Sequence, residues 1–99
     1  MGEFEQLVLL ALLRLDNDAY GMEVREEIER RTGREVSYGA VYTTLDRLEQ
    51  KGYVAHRMGE ATPERGGRAR KYFRALPEGR EALRQTQQAL TVMWKGVRL

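Results

Sequence analysis

At 99 residues, with 41% hydrophobic and 32% charged side chains, the chain is sized for one small globular domain with a modest core, and the absence of cysteine excludes a disulfide framework or a thiol site. A net charge of +2 conceals a polarity: residues 1–36 carry five basic and nine acidic side chains, residues 37–99 twelve basic and six acidic, so the second part favours a polyanionic partner. One histidine, no glycine-rich phosphate loop and no pair of acids in an apolar setting argue against an enzyme.

The first element is a helix over 4–15. Phe4, Leu7, Val8, Leu10, Ala11, Leu12, Leu13 and Leu15 leave it little polar face, so something is expected to pack on it from more than one side. Its longest apolar run, Leu7 to Leu13, is seven residues; a membrane span needs about 20. The run is preceded by Glu3 and Glu5 rather than by basic residues, so it does not read as a secretion signal. A cytoplasmic protein with no membrane partner is expected. Asp16-Asn17-Asp18 is a turn signal that can also cap the next helix.

A second helix is predicted from about Tyr20 to Thr32, with Tyr20, Val24 and Ile28 on one face, Met22 beside them, and Gly33 as a left-handed terminator. Glu23, Arg25, Glu26, Glu27, Glu29, Arg30 and Arg31 form its solvated face. A third helix is predicted over 38–51. Ser37 is its N-cap, Val36 and Val41 have hydrophobic-staple spacing, Val41, Leu45 and Leu48 make the buried stripe, and Gly52 ends it. The connection Gly33 to Val36 has helix-turn-helix length.

Two strand-like pieces follow, Tyr53 to Met58 and Arg70 to Ala75, around a turn-rich segment 59–69 with Pro63, Gly66 and Gly67. Pro77 suits the first turn of a last helix, whose Leu83, Thr86, Leu90, Met93 and Val97 step by alternating threes and fours as a dimerisation seam widened by Ala82, Ala89 and Trp94. The expected fold is therefore mainly α with a small β-hairpin: a winged helix-turn-helix over 1–76 and a dimerisation helix over 77–99.

In this arrangement the second helix braces the third, leaving one face free for the DNA major groove. That face holds Tyr38, Gly39, Ala40 and Thr43, with Arg47 and, at the edge, Tyr42; Ser37 sits at the positive end of the helix, where a phosphate is welcome. The wing carries Arg65, Arg68, Arg70 and Lys71 with no acid from 65 to 74, which suits an adjacent backbone or minor groove. Tyr42 either donates its hydroxyl to a phosphate or only packs at the helix edge. Arg47 either reaches DNA or is solvated. Gly39 and Ala40 are small either for DNA or for the crossing of the second helix. His56 lacks companion ligands, so no metal and no cofactor are expected.

Four stretches resemble the PadR family of bacterial transcriptional regulators: Asp18 to Val24, Ser37 to Glu49, Gly66 to Phe73 and Pro77 to Leu83. They occur in the family's order and are spread over residues 18–83, and the single last helix resembles the short branch of that family. The resemblance implies a homodimer that binds an operator, often as a repressor, and is sometimes released by a small molecule. Thr43 stands where the family often has proline, and Ala75-Leu76 where it usually has Leu-Thr. Thr43 faces the groove, so no operator sequence carries over.

Two further expectations concern the interface between subunits. The first and last helices together expose more apolar surface than one small core can bury, and a two-fold interface involving Leu7, Leu83, Thr86, Leu90, Met93 and Val97 would resolve that. Trp94, with Leu90 and Met93, either packs in that dimer core or offers a platform for a planar aromatic effector. The competing reading of the whole is a winged-helix module that binds a protein rather than DNA.

Overall fold

The computed structural model describes residues 1–59 and 69–99. In chain order it contains α1 (Glu3–Arg14), α2 (Gly21–Thr32), α3 (Tyr38–Gln50), β1 (Val54–Met58), β2 (Lys71–Ala75) and α4 (Pro77–Trp94). The expected fold class is the observed one. The strands pair antiparallel, with Val54 opposite Ala75, His56 opposite Phe73 and Met58 opposite Lys71.

The core is one cluster to which every element except α4 contributes buried residues: Val8, Leu9 and Leu12 from α1, Val24 and Ile28 from α2, Val41, Leu45 and Leu48 from α3, Val54 from β1 and Phe73 from β2. Phe73 is the largest fully buried side chain. Its backbone is paired on both sides, to His56 within the hairpin and to Ala19 ahead of α2, where the two N–H···O bonds measure 2.7 and 3.1 Å. The wing is thereby sewn to the helical body rather than hung from it.

Helix boundaries follow local chemistry. Ser37 Oγ accepts from the Ala40 N–H at 3.1 Å, as expected of the cap. The Asp16–Asp18 turn does not cap α2. The cap position is Tyr20, whose N–H donates to Glu23 Oε1 at 3.1 Å. Asp16 and Asn17 take left-handed backbone angles, which short polar side chains tolerate. That aims the Asn17 amide at β2, where it exchanges two hydrogen bonds with the Ala75 backbone, at 2.6 and 3.1 Å. Asp18 pairs with Arg57 of β1 at 2.8 Å.

Charged residues of the expected solvated face of α2 are also structural. Arg25 Nε donates to the Val36 carbonyl at 2.7 Å and its guanidinium pairs with Glu29, which accepts from the Val36 N–H, so the turn before α3 is pinned from α2. Glu27 is buried between Arg30 and Arg31, and Arg31 foremost holds its carboxyl below the usual range. Met22, placed beside the apolar stripe by sequence, is exposed. Thr44, not anticipated, is buried in the α3 stripe. At the far end of α3, Lys51 Nζ donates to buried Glu5 of α1 at 2.8 Å. This is the main reason the Glu5 carboxyl titrates low. Among the described residues, no buried side-chain nitrogen or oxygen lacks a hydrogen-bond partner.

The last helix is attached at its beginning only. Gly79 is its one buried residue, because a side chain there would run into the Tyr53 carbonyl. Leu83 packs partly against the core. Beyond Thr86 the helix is exposed throughout, and the radius of gyration is 15.0 Å, against about 13 Å for a compact chain of this length. The helix ends at Trp94 and Gly96 turns left-handed, so Val97 does not continue the helical seam as the sequence suggested. It still joins Leu90, Met93 and Trp94 around one apolar concavity.

Candidate nucleic-acid interface

The outer surface of α3 is set by its inner one. Burying Val41, Thr44, Leu45 and Leu48 turns Ser37, Tyr38, Gly39, Ala40, Thr43 and Arg47 toward solvent, so of the residues assigned to the free face all but the edge residue Tyr42 are exposed. Gly39 has nothing within 4 Å of where a side chain would begin. Close crossing by α2 therefore does not explain it.

Tyr42 is half-buried. Its ring lies against Gly21, where any side chain would collide with it. It packs at 4.8 Å from the Tyr38 ring and 6.4 Å from Phe73. The ring is a strut between α2, α3 and the wing. The Tyr38 hydroxyl is pushed up to about 12, first by desolvation and then by the neighbouring Tyr42 hydroxyl. It stays protonated, and able to donate, at any physiological pH.

The wing root adds a guanidinium and aromatic ladder. Arg70 lies 4.4 Å over the Tyr20 ring, Tyr20 meets Tyr72 edge-on at 5.5 Å, and Arg57 lies 4.5 Å over Tyr72. Stacking holds both arginines without neutralising them, and the Asp18 carboxylate shares only Arg57. Gly59 closes the hairpin by donating to the Arg70 carbonyl at 2.7 Å. Lys71 is half-buried at the start of β2. Arg65 and Arg68, assigned to the wing tip, lie outside the described residues. Sequence reading missed Tyr20, Arg57 and Tyr72, because their contacts join positions far apart in the chain.

The interface residues expected on the helices divide into two groups. Leu7 and Leu83 are half-buried against their own core, and the half-buried Thr86 bonds the Ala82 carbonyl and lines a different flank with Lys51 and Tyr53. Leu90, Met93, Trp94 and Val97 are 47%, 73%, 55% and 50% exposed. Between α1 and α4 runs an open groove of about 540 Å³, lined by Leu10, Leu13, Leu83, Leu90 and Trp94, with Gln6, Arg80, Arg84, Gln87 and Thr91 around them. Among the described residues no group of histidine or acidic side chains could hold a metal, and no helix is long and apolar enough to cross a membrane.

Fold and surface together define a winged helix-turn-helix protein. Residues 9–85 match the model of the transcriptional regulator PadR-like family. The chain is 39% identical over 93 residues to the transcriptional regulator Rv3488 of Mycobacterium tuberculosis, covering 91% of this chain and 82% of that one. A PadR family transcription regulator from Clostridium difficile R20291 superposes with a TM-score of 0.79 at 26% identity, over 95% of this chain and 93% of the other. A PadR family regulator from Eggerthella lenta does so at 0.72 and 28%, over 95% and 81%. F93 from STIV, a winged-helix DNA-binding protein, shares the fold at 0.76 and 15%, over 99% and 98%. The chain belongs to the PadR-like family of transcriptional regulators.

Proposed function

We propose that the protein binds duplex DNA as a homodimer, reads an inverted-repeat operator with α3 in the major groove, and acts as a repressor. The observation that carries the DNA reading is the exposed α3 face, small at Gly39 and Ala40, flanked by Tyr38, Thr43 and Arg47 and continued by Arg57 and Arg70 at the wing root. Ser37, Tyr38 and Tyr42 stand near the helix N-terminus, where phosphate is favoured. Lys71 at the start of β2 adds positive charge suited to an adjacent groove or backbone, and by sequence Arg65 and Arg68, outside the described residues, add to it.

Residues 1–76 carry the DNA surface in this reading, and 77–99 the dimerisation helix with α1 beside it. A helix with one buried residue, and with Val92, Met93 and Trp94 more than half exposed and Leu90 nearly so, is covered most economically by a second copy of itself. Such a dimer sets two copies of α3 on one side of DNA, about 34 Å apart or farther.

Selection of bound duplexes from a randomised pool at near-physiological salt tests the function. The expected product is an inverted repeat. Binding that enriches no sequence and vanishes as salt rises would leave only non-specific attraction, and a protein partner would become the better reading. The flat, exposed ring of Trp94 beside Leu90 and Met93 also suits a planar aromatic effector between subunits. As the only tryptophan, it should show saturable fluorescence quenching by such a compound; a screen without any would remove the effector from the mechanism.

A further inference from the structure

Successive residues of a helix are turned by about 100°. The buried residues of α3, Val41, Thr44, Leu45 and Leu48, therefore place Gly39, Thr43, Asp46 and Gln50 on the line diametrically opposite, and all four are exposed. Arg47 and Tyr42 stand to either side of that line. Asp46 is the one charged residue on it, and resting on the groove reading above, it is a carboxylate aimed at the floor of the major groove.

Nothing in the fold accounts for an acid there. Among the described residues Asp46 makes no hydrogen bond and no ion pair. Its neighbours one turn away are Tyr42, Thr43, Glu49 and Gln50, none of them basic, and Glu49 is engaged by His56 at 2.7 Å. Facing DNA it opposes the phosphates, so it lowers affinity for any duplex. A group that weakens general binding is accounted for by a gain at one base.

We infer that Asp46 is a specificity-determining residue that accepts a hydrogen bond from the N4 amino group of a cytosine in each operator half-site. Cytosine presents that donor in the major groove with no acceptor beside it on the same base, adenine sets its N6 donor next to the N7 acceptor, and guanine presents the acceptors O6 and N7 and thymine O4, against which a carboxylate is repelled. Aspartate is short and must be brought close. Gly39 on the same line has no side chain and open space in front of it, which lets the helix backbone approach the bases. Asp46 stands two turns farther along, about 10 Å on the helix axis.

The test repeats the duplex selection with the native chain, Asp46→Ala and Asp46→Asn, with circular dichroism confirming that each variant is folded. The native chain should enrich cytosine at one position mirrored in the two half-sites, with roughly ten- to hundred-fold discrimination there. Asp46→Ala should lose preference at that position alone and bind unrelated duplex more tightly. Asp46→Asn should shift the preference toward adenine, whose N6 and N7 pair with a carboxamide. An inverted repeat selected identically by the native chain and Asp46→Ala would overturn the role of Asp46 while leaving the groove reading intact. Failure of the native chain to select any sequence would overturn the groove reading, and the role of Asp46 with it.

Discussion

Leu90→Arg is expected to convert the protein to monomers and abolish operator binding. Leu90 is half exposed in the single chain, so the substitution leaves the fold of each subunit nearly untouched. Across a two-fold interface, however, every change is made twice. With about half of each leucine left to bury, losing the pair removes about 1.5–3 kcal/mol of association energy, roughly ten- to hundred-fold in dimer affinity, before any cost of burying two guanidinium groups. Sedimentation or light scattering should report half the native mass, and the selected operator should no longer be retained at concentrations that saturate the native chain. Gln88→Arg, on the opposite face of the same helix, should leave mass and binding unchanged. A dimer that survives Leu90→Arg would exclude this face as the interface.

Phe73→Ala should be the most damaging single change to stability. The ring is fully buried, lies 5.8 Å from His56 and 6.4 Å from Tyr42, and sits where the wing, the segment before α2 and α3 meet. Removing such a ring costs about 3–5 kcal/mol, a large part of the 5–15 kcal/mol by which small domains are typically stable. Urea unfolding at one fixed protein concentration should show the loss as a lower midpoint, and Phe73→Leu should recover most of it by keeping volume. Because Tyr42 rests on the same ring, the alanine variant should lose DNA binding even below its unfolding transition. A cost under about 1 kcal/mol would mean the wing is not part of the cooperative core.

Much of the architecture was legible in one dimension because the information for it is local. Apolar spacing of three and four placed α1 to α4. Ser37 announced the start of α3, and Gly33, with φ of 72°, the end of α2. The orientation of α3 followed as well, since burying Val41, Leu45 and Leu48 leaves only one face to offer. Errors arose where a short polar residue had two possible partners. The Asp16–Asp18 turn has cap chemistry, but Asn17 spends its amide on Ala75, fifty-eight residues away, and Asp18 its carboxylate on Arg57. Arg25, Glu27 and Glu29 have the composition of a solvated face, and only the folded turn shows two of them holding Val36.

The family resemblance, the order of the elements and the outward side of α3 could be read from the chain alone, because helix period and capping depend on neighbours within a few residues. Tertiary structure alone decided the rest. It showed that Gly39 is not explained by close packing, that Tyr42 is a strut against Gly21 and Phe73, that Arg70 and Arg57 are held on the rings of Tyr20 and Tyr72, and that the seam of α4 is divided between its own core and an uncovered end. Each of these depends on which surfaces of elements distant in sequence meet one another. That is set by the summed packing of the core and not by any single segment.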